Sequence, residues 1–220
     1  MSNTSSTTLS NKRVIITLCI YILVPIVAHL LNFLLQQYDI SLMFSLNLAT
    51  AILVMYNWNL FALHYNRAKQ NLADALLYSI LAFFLIGIWT YISNHFLKCI
   101  VIMPSKTVLI QYGYARIGML IAYSFSEATL ISIVEKVATD HINVKHHELQ
   151  VIMLSGLAIG LLTTILFFPS KNILTVLITL LYNVILCTLL SYFYNQSHSF
   201  IPGIIGFAGS NLAFMILCLL

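Results

Sequence analysis

The sequence predicts an all-α fold, a polytopic membrane bundle of about seven transmembrane helices. Three observations carry that prediction. Of 220 residues, 60% are hydrophobic and only 7% charged, at a mean hydropathy of +0.96, whereas soluble domains carry roughly 25% charged residues to meet water. The apolar residues fall in seven runs, 14–35, 42–63, 74–97, 108–133, 150–168, 173–194 and 201–220. Each is close to the ~20 residues that cross ~30 Å of hydrocarbon at 1.5 Å per residue. Open strands are excluded, because each amide left unpaired in lipid costs several kcal/mol.

Residues 1–13, MSNTSSTTLSNKR, are polar, Ser/Thr-rich and end in two cations, and read as a disordered cytoplasmic tail ahead of a transmembrane domain over 14–220. The first run is too long for a signal-peptide core and no small-residue cleavage site follows it. The fourth run is the longest and least apolar, so its ends are the least defined. Lys12, Arg13, Arg67, Lys69, Lys136 and Lys145 fall on one side of the bilayer, against Lys98, Lys106 and Lys171 on the other. That bias puts the N-terminus in the cytoplasm of a cell membrane, and an odd number of spans puts the C-terminus outside. Pro104-Ser105-Lys106 and Pro169-Ser170-Lys171 each precede an apolar run. Proline ends one helix there and serine caps the next, without need of an internal repeat.

The same counts exclude several function classes. A net charge of +4 is too small for a nucleic-acid groove. Cys19, Cys99, Cys187 and Cys218 are scattered and form no CxxC pair, so neither a disulfide framework nor a zinc site is expected. The stretch Asp140-His141-Ile142-Asn143-Val144-Lys145-His146-His147-Glu148 fits no ligand template and reads as a solvated connector, as does His198. No metal and no cofactor is expected.

An ionisable group inside a span costs ~2.5–3.5 kcal/mol on insertion scales, so each one present needs a reason. Arg116 and Glu127 lie 11 residues apart on the fourth run, which at 100° per residue returns nearly to one face. Tyr112 and Tyr123 precede them by four residues and share that face. Such a stripe should point into the bundle, although Arg116 could equally snorkel to the outer boundary. His29, Asn32, Asn47, Asn57, Asn183 and Asn211 are expected to join helices to one another by hydrogen bonds. Gly156 and Gly160 form a GxxxG pair, and Gly203, Gly206 and Gly209 recur every third residue, marking close helix contacts.

From Glu127 onward the order of features resembles the CAAX proteases and bacteriocin-processing enzymes, the CPBP or Abi family. The family pattern is EExxxR on one membrane helix, FxxxH on the next, and HxxxN or HxxxD on a late one. Ser126-Glu127-Ala128-Thr129-Leu130-Ile131-Ser132 stands where the first motif belongs, with Ala128 for the second Glu and Ser132 for the Arg. In Leu154-Ser155-Gly156-Leu157-Ala158-Ile159-Gly160-Leu161-Leu162-Thr163, Ile159 replaces Phe and Thr163 replaces His. In Ser199-Phe200-Ile201-Pro202-Gly203-Ile204-Ile205-Gly206-Phe207-Ala208-Gly209-Ser210-Asn211, Phe207 takes the His position and Asn211 keeps the Asn.

The resemblance covers roughly the last hundred residues. It implies a CPBP-like core whose active site lies within the bilayer, with Glu127, Thr163, Phe207 and Asn211 as vestigial positions and no catalytic set. Metal-assisted hydrolysis needs about three good ligands and a tuned base, which one Glu and one Asn do not supply. The expectation is a non-enzymatic scaffold in contact with the lipid bilayer. It would bind another membrane or cell-envelope protein, such as a cell-wall hydrolase or a surface-display factor, through a transmembrane helix. Arg116, Tyr123, Glu127 and Asn211 form the candidate polar or partner face. One alternative is an active intramembrane protease or bacteriocin-immunity protein that draws ligands from elsewhere, for instance His29 or His64. Another is a small-molecule carrier, for which Pro25 is the only proline well inside a run and no matching half is visible.

Overall fold

A computed structural model describes residues 11–97, 113, 115–142, 147–167 and 172–219. The segment 1–10, both Pro-Ser-Lys connectors, Tyr112, Cys99 and residues 143–146 of the His-rich stretch lie outside the described residues. Every regular element among those described is a helix: α1 Asn11–Leu35, α2 Tyr38–Tyr56, α3 Trp58–Gln70, α4 Leu72–His95, α5 Ala115–Ile142, α6 Glu148–Phe167, α7 Ile173–Ser197 and α8 Ile201–Leu219. Six of them, α1, α2 and α4 to α7, are long and apolar enough to cross a membrane. With α8, which is strongly apolar over its 19 residues, they make a polytopic helix bundle.

Three boundaries differ from expectation. Helix α1 begins at Asn11, so Lys12 and Arg13 belong to its first turn and not to the tail. The run 42–63 is two helices, because Asn57 interrupts it. Its backbone N–H and its side-chain amide both donate to the Leu53 carbonyl, at 2.9 and 3.2 Å, while its own carbonyl starts the next helix. This is the local competition with helical bonding that asparagine offers. The resulting α3 is amphipathic: Leu60, His64 and Ala68 are buried at four-residue spacing, while Trp58 and Tyr65 are exposed. Arg67 and Lys69 in its last turn complement the helix dipole. The third difference is α5, which runs on to Ile142 instead of ending near residue 133. At 28 residues it is about 42 Å long, longer than ~30 Å of hydrocarbon.

Helix α5 is the most buried span and the axis of the bundle, packed by α1, α2, α6, α7 and α8. In α1, the buried Pro25 has no N–H for the carbonyl of Tyr21, which loosens the helix one turn from that buried tyrosine. The chain reverses between α1 and α2 through Gln36, held in the left-handed region at φ 54°.

The glycine faces are used inside the bundle. A Cβ on Gly160 would lie 2.6 Å from both Cα and N of Val184, and one on Gly156 would lie 2.8 Å from Cα and N of Thr188, so α6 and α7 touch backbone to backbone. Gly206 does the same between α8 and α4, where a Cβ would meet Phe83 N and Ser79 O at 2.8 Å. The matching stripe on α4, Ser79, Ala82, Ile86, Thr90 and Ser93, is made mostly of small residues. Large apolar side chains such as Ile26, Leu30, Ile80, Phe84, Leu161, Ile165, Leu177 and Leu181 point outward. A belt of that kind is stable against lipid and far too large for an ordinary water-facing surface.

Candidate functional site

Glu127 and Asn211 are brought together. The Asn211 Nδ2 amide of α8 donates to Glu127 Oε2 of α5 at 2.8 Å, and both residues are buried, at 5% and 6% exposure. A neutral amide donor satisfies one carboxylate oxygen and brings no charge, so the pair is a hydrogen-bonded crosslink between two helices.

Thr163 is engaged elsewhere. Its hydroxyl donates to the Ile159 carbonyl at 2.7 Å, so the Tyr21 hydroxyl, 2.7 Å away on α1, must donate to Thr163. Tyr21 and Thr163 are both buried, with Phe167 against the Tyr21 ring at 5.5 Å. Phe207 is buried and offers only hydrocarbon. The Ser132 hydroxyl is buried and makes no hydrogen bond. Tyr123 is buried on the same helix as Glu127, whereas Arg116, in the first turn of α5, is exposed. The stripe expected on α5 is therefore buried from Tyr123 to Glu127 and does not extend to Arg116, which lies about 16 Å from Glu127 along the axis.

Other intramembrane amides join helices. Asn183 donates to Thr164 at 2.9 Å between α7 and α6, and Ser126 donates to the Asn47 side-chain carbonyl at 2.7 Å between α5 and α2. His29 instead packs its ring 5.0 Å from Tyr38.

No protein-family model matches the chain, and neither a curated protein nor a solved structure is significantly similar to it.

A second polar cluster, near the C-terminal end of α5, was not anticipated. Lys136 is only 1% exposed and pairs with Asp140 one turn on, so it is an internal ion pair and not a connector cation. The Tyr194 hydroxyl of α7 donates to the other Asp140 oxygen at 2.8 Å, and the Lys136 ammonium lies 5.5 Å from the Tyr194 ring centre. His64 of α3 packs its ring, tilted by 45°, against Phe200 at 4.5 Å and edges Tyr194 at 5.8 Å. Burial first, then the charges of Lys136 and Arg67, lower its pKa to about 3, so the ring is neutral at pH 7. Ser199 fixes this corner by donating to the His64 carbonyl at 2.9 Å.

One turn deeper, Glu135 is 1% exposed and neither carboxylate oxygen makes a hydrogen bond. The Ser155 side chain of α6 comes close enough to influence it. Among the described residues, no group of three or more His, Cys, Asp or Glu converges on one point. In the sequence, Glu135, Lys136 and Asp140 look like the solvated end of a helix. Only the extension of α5 and the packing of α6 and α7 against it turn them inward.

Proposed function

We propose that the chain is a membrane scaffold, derived from a CPBP-like fold, that binds and positions another membrane or cell-envelope protein without hydrolysing it. The observation that carries this reading is the hydrogen bond from Asn211 to Glu127, accompanied by the bond from Tyr21 to Thr163. Of the positions that would hold water or a metal in a hydrolase, Glu127 and Asn211 are tied to each other, Thr163 is tied to Tyr21, and Phe207 adds no lone pair. Hydrolysis requires a base free to take a proton from water and an electrophilic stabiliser opposite it. A carboxylate capped by an amide in an apolar pocket supplies neither.

Tyr123, Glu127 and Asn211 face the interior and do not offer a surface to a partner. The glycine faces of α6 and α8 are covered by α7 and α4. The outer face of the first half of α5 is open: Arg116, Ile117, Gly118, Ile121, Ala122 and Phe125 are exposed, with nothing within 4 Å of a Cβ on Gly118. A small residue at Gly118 and another at Ala122, flanked by apolar side chains, suit a single-span helix that packs closely. With Lys136 removed from the count, five cations (Lys12, Arg13, Arg67, Lys69 and Lys145) still oppose three (Lys98, Lys106 and Lys171). That favours a cytoplasmic N-terminus and an outer C-terminus in a bacterial cell membrane.

The test is photo-crosslinking from positions 117 and 121 in native membranes, followed by identification of the captured protein. One stoichiometric membrane partner is expected. A partnerless monomer, or cleavage of a membrane substrate that Glu127→Gln abolishes, overturns the reading.

A further inference from the structure

Three helices place hydroxyls in a closed triangle beside the Glu135 carboxylate. Thr139 Oγ1 of α5 lies 3.0 Å from Ser191 Oγ of α7 and 3.2 Å from Ser155 Oγ of α6, and the two serine oxygens are 3.0 Å apart. All three residues are buried. Thr139 also bonds the Glu135 carbonyl at 2.9 Å and Ser155 the Ile152 carbonyl at 3.2 Å, which anchors the triangle to its helices. Next to it, Glu135 holds both carboxylate oxygens without a hydrogen-bond partner at 1% exposure. Ser155 is the triangle member within its influence.

The charge balance of this region is specific. Lys136 and Asp140 neutralise each other. His64 is neutral, and the other ionisable groups within electrostatic reach of Glu135 are the Cys187 thiol and the Tyr21 phenol. One buried negative charge is left, and an uncompensated carboxylate in low dielectric is unfavourable by many kcal/mol. A single positive charge restores neutrality; a divalent ion would leave the site positive. A bound proton would restore neutrality too, with the carboxyl O–H donating to the Ser155 hydroxyl, so a response to sodium and not to acid is what marks a cation site. A small hard cation uses what is present, since three hydroxyl oxygens meet in one triangle and the carboxylate reaches its Ser155 corner. Hard cations take oxygens at roughly 2.3–2.6 Å, which sets neighbouring oxygens of a shell roughly 3.2–3.7 Å apart. The triangle reaches that spacing by opening a few tenths of an ångström.

We propose that Glu135, Thr139, Ser155 and Ser191 form a buried, all-oxygen binding site for one monovalent cation of sodium size, which clamps α5, α6 and α7 together. The site shares no residue with the Glu127–Asn211 pair and does not depend on the scaffold reading.

The experiment is thermal unfolding of the purified full chain in detergent, titrating sodium chloride against choline chloride at constant ionic strength. The midpoint is expected to rise with sodium as a saturable one-site function, because a ligand bound only by the folded state stabilises it by mass action. Glu135→Gln is expected to abolish the sodium-dependent increment, and Asn211→Ala, in the other cluster, to retain it. If Glu135→Gln does not fold, Ser191→Ala removes a single oxygen and should move the sodium response to at least about tenfold higher concentration. Equal midpoints in sodium and choline overturn the proposal, as does an increment that survives loss of Glu135 or that Ser191→Ala leaves at the same sodium concentration. Potassium acting at lower concentration than sodium, or stabilisation by acidification alone with no sodium effect, overturns it as well.

Discussion

Asn211 Nδ2 donates to Glu127 Oε2 at 2.8 Å across the α5–α8 interface, joining residues 84 apart in the chain inside a lipid-facing bundle. Removing one partner strands the other, and the two directions are not equivalent. Asn211→Ala leaves a buried carboxylate unbonded and should destabilise the protein by about 1–3 kcal/mol or more. Glu127→Gln keeps an acceptor of the same shape for the amide and should change stability by less than about 1 kcal/mol. Thermal unfolding of the two variants in one detergent checks the order. A larger loss for Glu127→Gln would mean that the charge itself holds the interface.

The Tyr21 hydroxyl donates to a threonine that already donates to its own helix. Tyr21→Phe removes the donor and leaves Thr163 bonded to Ile159, at a cost near 0.5–1.5 kcal/mol. Thr163→Val strands the Tyr21 hydroxyl in the core and should cost more. Chemical denaturation of both variants measures the asymmetry.

At Gly160 a Cβ would sit 2.6 Å from the Val184 backbone, which cannot rotate away. Gly160→Ala should therefore separate α6 from α7 and destabilise by at least ~1–3 kcal/mol. Gly118 has nothing within 4 Å, and Gly118→Ala should be neutral or stabilising by up to ~1 kcal/mol through helix propensity. The same pair tests the α5 face: if a partner helix packs on Gly118, Gly118→Leu should weaken partner capture without lowering the unfolding midpoint.

His64 sets an acid limit. Its folded pKa is lowered to about 3, chiefly by burial, against an ordinary value near 6.5. The unfolded chain thus binds a proton that the folded chain refuses. Stability should be full above pH 6.5 and fall as pH drops from there toward 3, by the order of a few kcal/mol. His64→Phe keeps the ring contacts with Phe200 and Tyr194 and removes the buried, unpartnered Nδ1. The variant should be as stable as the parent at pH 7.5 and less sensitive to acid. An unchanged midpoint-against-pH curve in His64→Phe would assign the acid response to other groups.

Composition and the spacing of apolar runs determined the class of this protein, because a chain with so few charges and so many ~20-residue apolar segments has only lipid to face. The same periodicity marked Gly156, Gly160 and Gly206 as contact points and Glu127 as a residue needing a partner. Tertiary structure alone decided which partner each polar group received. Asn211 reaches Glu127 because α8 crosses α5, and Thr163 meets Tyr21 because α1 lies against α6. Glu135, Lys136 and Asp140 face inward because α5 continues past residue 133 with α6 and α7 packed against it. Hydropathy reports only the average cost of leaving water. Whether a particular carboxylate is solvated, paired or isolated depends on helix crossings between residues distant in sequence, and those are visible only in three dimensions.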